Sequence, residues 1–192
     1  AILDSWAAAR HDLWRRQRAA NDLPVVQEPA CKPGCDHCCY QNVAVTAIEA
    51  EILAHHIREN WTEAEIARLR PLLVEDTERF QRIRAEAPNP EAEQAAIARV
   101  RRPCPMLDPS SGLCRAYEAR PVNCRRENSV DPEVCLCYRL DPDATDSSLR
   151  LVRYDLVWGA AHFFLAQMSA ELSDLDREPS EPLAVALTRH FP

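Results

Sequence analysis

Apolar residues recur at three- and four-residue intervals through much of this chain, the period of an amphipathic α-helix. Ile66, Leu69, Leu73, Phe80 and Ile83 share one face of a helix that opens at Thr62. Thr62 and Glu65 fit a capping box, in which hydroxyl and carboxylate each close an unpaired amide. Thr46 and Glu49 repeat the device and predict a helix running to about Asn60. Pro71 lies inside the later helix and is expected to kink or divide it. A third, alanine-rich helix is predicted over 90–100, with Pro90 in its first turn. Ile2, Leu3, Trp6, Leu13 and Trp14 predict an N-terminal amphipathic helix that stops at Asn21-Asp22-Leu23-Pro24. Trp158 to Leu175 reads as a core-packed helix and Leu183 to Leu187 as a last turn or helix, while Leu149 to Tyr154 alternates like a short strand.

Two stretches break this texture. From Arg102 to Leu140, proline, cysteine and arginine dominate and periodicity fades, the mark of a loop-rich segment organised by something other than a core. Residues 31–40 read CKPGCDHCCY, where Pro33-Gly34 and Asp36 favour a knuckle over a regular helix. The expected class is mostly α: a small helical domain with irregular cysteine-rich metal-binding segments and little β. A single domain over 1–192 is expected, with a helical extension at about 1–24, the first cysteine cluster and its helices over 25–101, and the second cysteine-rich segment with C-terminal helices over 102–192.

Composition narrows the chemistry. A chain of 192 residues buries a sizeable core without staples, and nine cysteines cannot all pair with one another. No secretory signal is visible, and the longest uncharged run, Leu156 to Ala170, is too short and too polar to span a bilayer. A soluble, cytoplasmic protein is expected, in which thiols stay reduced and clustered cysteines point to metal. The net charge of −7 argues against non-specific binding to nucleic acid or anionic membrane. With glycine only at 34, 112 and 159, neither a dinucleotide fingerprint nor a phosphate-binding P-loop can be written.

The cysteines fall into two groups: Cys31, Cys35, Cys38 and Cys39, then Cys104, Cys114, Cys124, Cys135 and Cys137. Thiolates favour zinc, copper(I) and iron–sulfur clusters, and structural zinc and cubane clusters each take about four ligands. Two four-ligand sites with one spare sulfur, or one site plus free thiols, both fit. Neighbouring side chains point apart in extended backbone, so Cys38 and Cys39 serve two nearby metals or one of them is a buried structural thiol. His37 is a further candidate ligand behind the sulfurs. His55, with Glu51 and Glu59, reads as a solvated helix face, His162 as a satisfied core histidine, and Tyr40 and Tyr117 as shields for the sulfurs.

The pattern C31-x3-C35-x2-C38-C39, then C104-P105-M106-L107, then C114-R115-A116-Y117-x2-R120-P121-x2-C124-R125, resembles the YkgJ-type cysteine-cluster family. That family is described as a zinc- or iron-chelating domain, and flagellin lysine-N-methylases share its motif. The resemblance covers about residues 31–125. It implies that Cys31, Cys35, Cys38, Cys39, Cys104, Cys114 and Cys124 are metal ligands, with one more expected downstream, where Cys135 and Cys137 stand. It gives no reason to transfer methylase activity.

Residues 99–126 hold seven arginines against Asp108 and Glu118, a local surplus of +5 in an acidic protein. Such arginines either form an exposed basic face or stabilise the negative charge of a thiolate-bound metal from one layer out, with Arg120 and Arg125 the best placed by motif; an anionic ligand is a third use. The cofactor expected is zinc, iron or an iron–sulfur cluster, 4Fe–4S among them. The alternatives are a metal-dependent or iron–sulfur enzyme and a metal-braced module for a protein partner. Cys31-x3-Cys35-x2-Cys38 has the radical S-adenosylmethionine spacing, but helices and few glycines argue against that barrel.

Overall fold

The computed structural model describes residues 28–141, 150–172 and 180–192, together with residues 5, 8–10, 12–13, 15–16 and 143. Its architecture is mostly α with little β, as the periodicity predicts. The expected N-terminal helix falls largely outside the described residues; those described before residue 17 are helical.

Helix α1 (Ala47–Asn60) and helix α2 (Glu63–Glu86) both begin at complete capping boxes, Thr46/Glu49 and Thr62/Glu65. Pro71 does not divide α2, which runs through it as one element. Pro71 and Ala67, whose carbonyl loses its partner, both lie on the exposed face, where that carbonyl is open to solvent. Helix α3 (Pro90–Ala98) starts with Pro90 in its first turn, and Asn89 caps the Ala92 amide.

The chain's end closes the core. Strand β1 (Ala44–Val45) pairs antiparallel with strand β4 (Glu181–Pro182), and helix α7 (Leu183–Thr188) follows at once. Leu183, Ala184, Ala186 and Leu187 are buried against Leu53, Ile57, Ile66, Leu69, Leu73 and Phe80, and Phe191 completes the cluster.

Between them, the stretch expected to be loop carries regular elements. Strands β2 (Leu107–Asp108) and β3 (Leu113–Cys114) form a hairpin, helix α4 (Val122–Arg126) follows, and helix α5 (Pro132–Leu140) carries Cys135 and Cys137. Asp131 caps the Glu133 amide and Pro132 supplies the fixed first φ, a start signal that the cysteines obscured in the sequence. The strand expected at 149–154 is absent where described: helix α6 (Val152–Leu172) already includes Val152 to Tyr154. Alternation over so few residues does not outweigh the helical period that continues after it.

Two packed layers result. Helices α1, α2 and α7 form the main core, while Val122 of α4 packs with Trp158 and Ala161 of α6 in a second cluster. Glu49 joins the cysteine-bearing segment to the first layer. Its carboxylate is buried and accepts from the Thr46 amide at 2.9 Å, the Thr46 hydroxyl at 2.8 Å and the Val122 amide at 2.7 Å. Glu49→Gln keeps the shape but turns an N–H group toward donors; we expect a loss of about 2–3 kcal/mol. Urea denaturation checks this, and an unchanged midpoint refutes it.

Candidate metal centre

The first cysteine segment is a turn followed by one turn of 3-10 helix. The Cys35 amide donates to the Lys32 carbonyl at 3.0 Å across Pro33-Gly34, and Gly34 has φ +88°, the signature of a type II turn. Residues His37–Tyr40 form the 3-10 helix. The adjacent thiols therefore do not sit in extended backbone, and Cys38 and Cys39 are hydrogen-bonded to each other. The expectation that they point apart fails for that reason.

The second segment is folded onto the first at three places. The Cys104 amide donates to the Cys39 carbonyl at 2.7 Å, and the Arg102 amide to the Tyr40 carbonyl at 3.2 Å. Gly112, at φ +69° in the β2–β3 turn, sits so close that a Cβ there would stand 3.0 Å from the Gly34 carbonyl oxygen. Helix α5 packs on the 3-10 helix: Arg139 donates to the Asp36 carboxylate at 2.9 Å and stacks 3.4 Å from the Tyr40 ring.

Cys38 stands at the junction of two sulfur sets. Toward the core it is electrostatically coupled to Cys104 and Cys124, which are coupled in turn to Cys114. Toward solvent it is coupled to Cys31 and Cys135, which also feel Cys35. Ser129, buried, holds the outer set together: its carbonyl accepts from the Ala30 amide at 2.8 Å and lies 4.0 Å from the Cys31 sulfur, while its side chain bonds Cys135. Cys137 is exposed on α5.

The surroundings disfavour bare thiolates. The hydrogen bond with Cys39, followed by burial, pushes the Cys38 thiol far above its ordinary value. Burial pushes Cys104 up to about 12 and Cys124 well above 9, and it raises Cys31, Cys114 and Cys135, with neighbouring sulfurs adding to each and hydrogen bonds with Ser129 opposing at Cys31 and Cys135. Arg120 acts in the opposite sense on Cys114 and Cys124. It stacks 4.0 Å from the Tyr117 ring and keeps a buried Nε without a hydrogen-bond partner. Arg125 is buried and its guanidinium donates to the Arg120 and Glu118 carbonyls at 2.9 Å, bracing the motif loop.

The remaining arginines of this stretch are not an open basic face. Arg115 pairs with Glu65 and stacks on Trp61, Arg102 pairs with Glu75, Arg126 with Asp155, and Arg99 with Asp143. His37 has a buried Nδ1 with no hydrogen-bond partner, 3.7 Å from Asp36. His162 also keeps a buried, unpartnered Nδ1, so it is not the satisfied core histidine expected. Ser129 and Glu127, whose carboxylate is coupled to Cys38, went unnoticed in the sequence. Glu127 lies just outside the arginine-rich stretch 99–126, and a lone serine carries no motif.

All nine cysteines are free thiols. Among the described residues, no group of three His, Cys, Asp or Glu side chains is drawn together tightly enough to hold a metal ion as it stands. The donor chemistry nevertheless fits a soft metal, since neutral thiols from two segments are gathered where only a cation would stabilise their anions. A half-open cavity of about 40 Å³ lies against Cys104, lined by Asp76, Phe80, Arg102 and Leu183 among others. It has room for a few waters and not for an organic substrate.

A helical domain that folds two cysteine-rich segments onto each other defines a cysteine-cluster protein. The chain belongs to the CxxCxxCC family, described as a putative zinc- or iron-chelating domain, whose profile matches residues 30–144. Its first cysteine gap is one residue longer than the family's name spells, and the Lys32-Pro33-Gly34 turn takes up the difference. Comparison with curated proteins and with solved structures found no match. No helix among the described residues is long and apolar enough to cross a membrane.

The contact between the two glycines separates two substitutions. Gly112→Ala meets both a left-handed φ and the Gly34 carbonyl, and should cost about 2–3 kcal/mol. Gly34→Ala meets only the backbone cost, about 1 kcal/mol. Hydrogen exchange at the Cys35 and Cys39 amides should accelerate strongly in the first variant; equal behaviour of the two would disprove the contact.

Proposed function

We propose that this protein holds zinc or iron in two thiolate centres that meet at the Cys38–Cys39 pair. The inner centre takes Cys104, Cys114 and Cys124 with one member of the pair; the outer takes Cys31, Cys35 and Cys135 with the other. Cys137 is the spare sulfur. The observation that carries this reading is the coupling of Cys38 to sulfurs of both sets.

The energetic argument is direct. Burying several thiols side by side raises the cost of ionising each of them, and a fold gains nothing from that cost unless a cation offsets it. The backbones that carry the sulfurs are fixed by hydrogen bonds and by the Gly34–Gly112 contact, so closure around a metal asks mainly for χ1 rotation of cysteines. When bound, the metal supplies positive charge that converts thiols to thiolates, or redox capacity if the centre is iron–sulfur. Arg120 sits near enough to Cys114 and Cys124 to temper the remaining negative charge. Cys31 is exposed, so the outer centre exchanges metal with solution more readily than the inner.

Protein purified without air should carry bound metal, colourless with zinc or brown with broad absorbance near 400 nm if iron–sulfur. Chelator should remove it in two phases, fast from the outer centre and slow from the inner. Cys38→Ser should lower the metal content, and Cys137→Ser should leave it unchanged. Metal-free protein after anaerobic purification, or equal losses in the two variants, would sink the reading.

Arg120→Gln should speed the slow phase of metal release by roughly tenfold, within the 10- to 100-fold range of outer-shell partners. Chelator kinetics at fixed pH give the number, and an unchanged slow phase removes Arg120 from the centre.

A further inference from the structure

The outer sulfurs converge on one residue. Ser129 is 1 % exposed and touches a thiol from each cysteine segment. Its carbonyl lies 4.0 Å from the Cys31 sulfur, and its side chain is hydrogen-bonded to Cys135. Ser129 is itself pinned. The same carbonyl accepts from the Ala30 amide at 2.8 Å, the hydroxyl donates to the Asp131 carbonyl at 2.9 Å, and the Asp131 amide donates back to the hydroxyl at 3.1 Å. Cys31 and Cys135 are thus held against one fixed group, although more than a hundred residues separate them in sequence. The Ala30–Ser129 bond has already closed the long loop that a link between them would span. Such a link asks for side-chain movement and little further loop closure.

Of the sulfurs assigned to the two centres, Cys31 is the exposed one, so an oxidant in solution meets it first. Other partners for it are less well placed. Among the sulfurs near Cys135, that of Cys31 acts on it most strongly, ahead of Cys35 and Cys38. Cys38 is engaged with its neighbour Cys39. Cys137, the other exposed thiol, lies two residues further along α5, about 200° round the helix from Cys135, and so points away from this surface.

We propose that Cys31 and Cys135 form an oxidation site, at which a peroxide converts the two thiols into a disulfide that ties the cysteine segments together and empties the outer centre while the inner one stays loaded. The emptying rests on the two-centre reading above; the disulfide does not. The Cys31 sulfur attacks the O–O bond of the peroxide, takes one oxygen as a sulfenic acid and releases the other as water. The Cys135 sulfur then attacks the sulfenic sulfur, the S–S bond forms, and the hydroxyl leaves with a proton as a second water. Two thiols lose two electrons, and one hydrogen peroxide becomes two waters. Starting from zinc-bound thiolates, the two protons come from solvent and the cation departs. A surface disulfide of this kind is open to exchange, so a dithiol in solution reduces it and restores the ligands.

The test uses the full chain with Cys137→Ser, which removes the exposed thiol that would otherwise join two molecules. Zinc-loaded and metal-free samples are treated with hydrogen peroxide, alkylated, digested and read by mass spectrometry. Both should yield a peptide pair joined through Cys31 and Cys135 and two hydrogens lighter than its parts, and a dithiol should reverse it. In the loaded sample a chromogenic chelator should record the loss of one of two zinc equivalents. Adding Cys135→Ser should abolish the link and leave a sulfenic acid at Cys31 that dimedone traps. A link from Cys31 to Cys35, a link between Cys38 and Cys39 alone, or Cys31 over-oxidised with Cys135 still free overturns the oxidation site. A Cys31–Cys135 link that releases no zinc overturns the emptying. Protein that takes up no zinc yet forms the link sinks the two-centre reading and leaves the oxidation site standing.

Discussion

One buried carboxylate holds the two halves of this molecule in register. Glu49 closes the first turn of α1 and, with its other oxygen, takes the amide of Val122 at the start of α4. A helix start and a cysteine-bearing helix thus share one acceptor. A buried carboxylate that accepts from three donors is costly to lose, because its removal strands each of those donors. The position of Cys124, two residues beyond Val122, follows from it, and so does the seating of α4 on Trp158.

Around that anchor the sulfurs are arranged against their own preference. Burial and mutual crowding push the thiols of Cys31, Cys104, Cys114, Cys124 and Cys135 up, and the arginines that surround them are mostly engaged with Glu65, Glu75, Asp143 and Asp155. The basic surplus of the second segment is therefore largely mortar between it and the helices. Arg120 is the exception that acts on the sulfurs themselves. This division of labour separates what makes the segment fold from what makes it bind.

The helices were legible because their signals are local. Capping boxes at Thr46 and Thr62 and the stripe from Ile66 to Phe80 are set by neighbouring residues, and they appear as expected. The cysteine family was legible because its spacing is distinctive. Helix α5 was not, since Cys135 and Cys137 in its middle drew the reading toward ligands and away from Asp131-Pro132. The grouping of the sulfurs was equally hidden: that Cys135 faces Cys31 depends on Ser129, and that Cys38 touches Cys39 depends on a 3-10 turn, both products of tertiary packing.

The pairing of β1 with β4 sets an order of events during synthesis. Val45 leaves the ribosome soon after the first cysteines, but its partner Glu181 is among the last residues described. Until that strand and α7 emerge, the core beneath α1 and α2 is open, although the second cysteine segment that braces the first knuckle has already been made. Every sulfur-bearing element is thus made before the cysteine-free segment Leu183–Thr188 that closes the core.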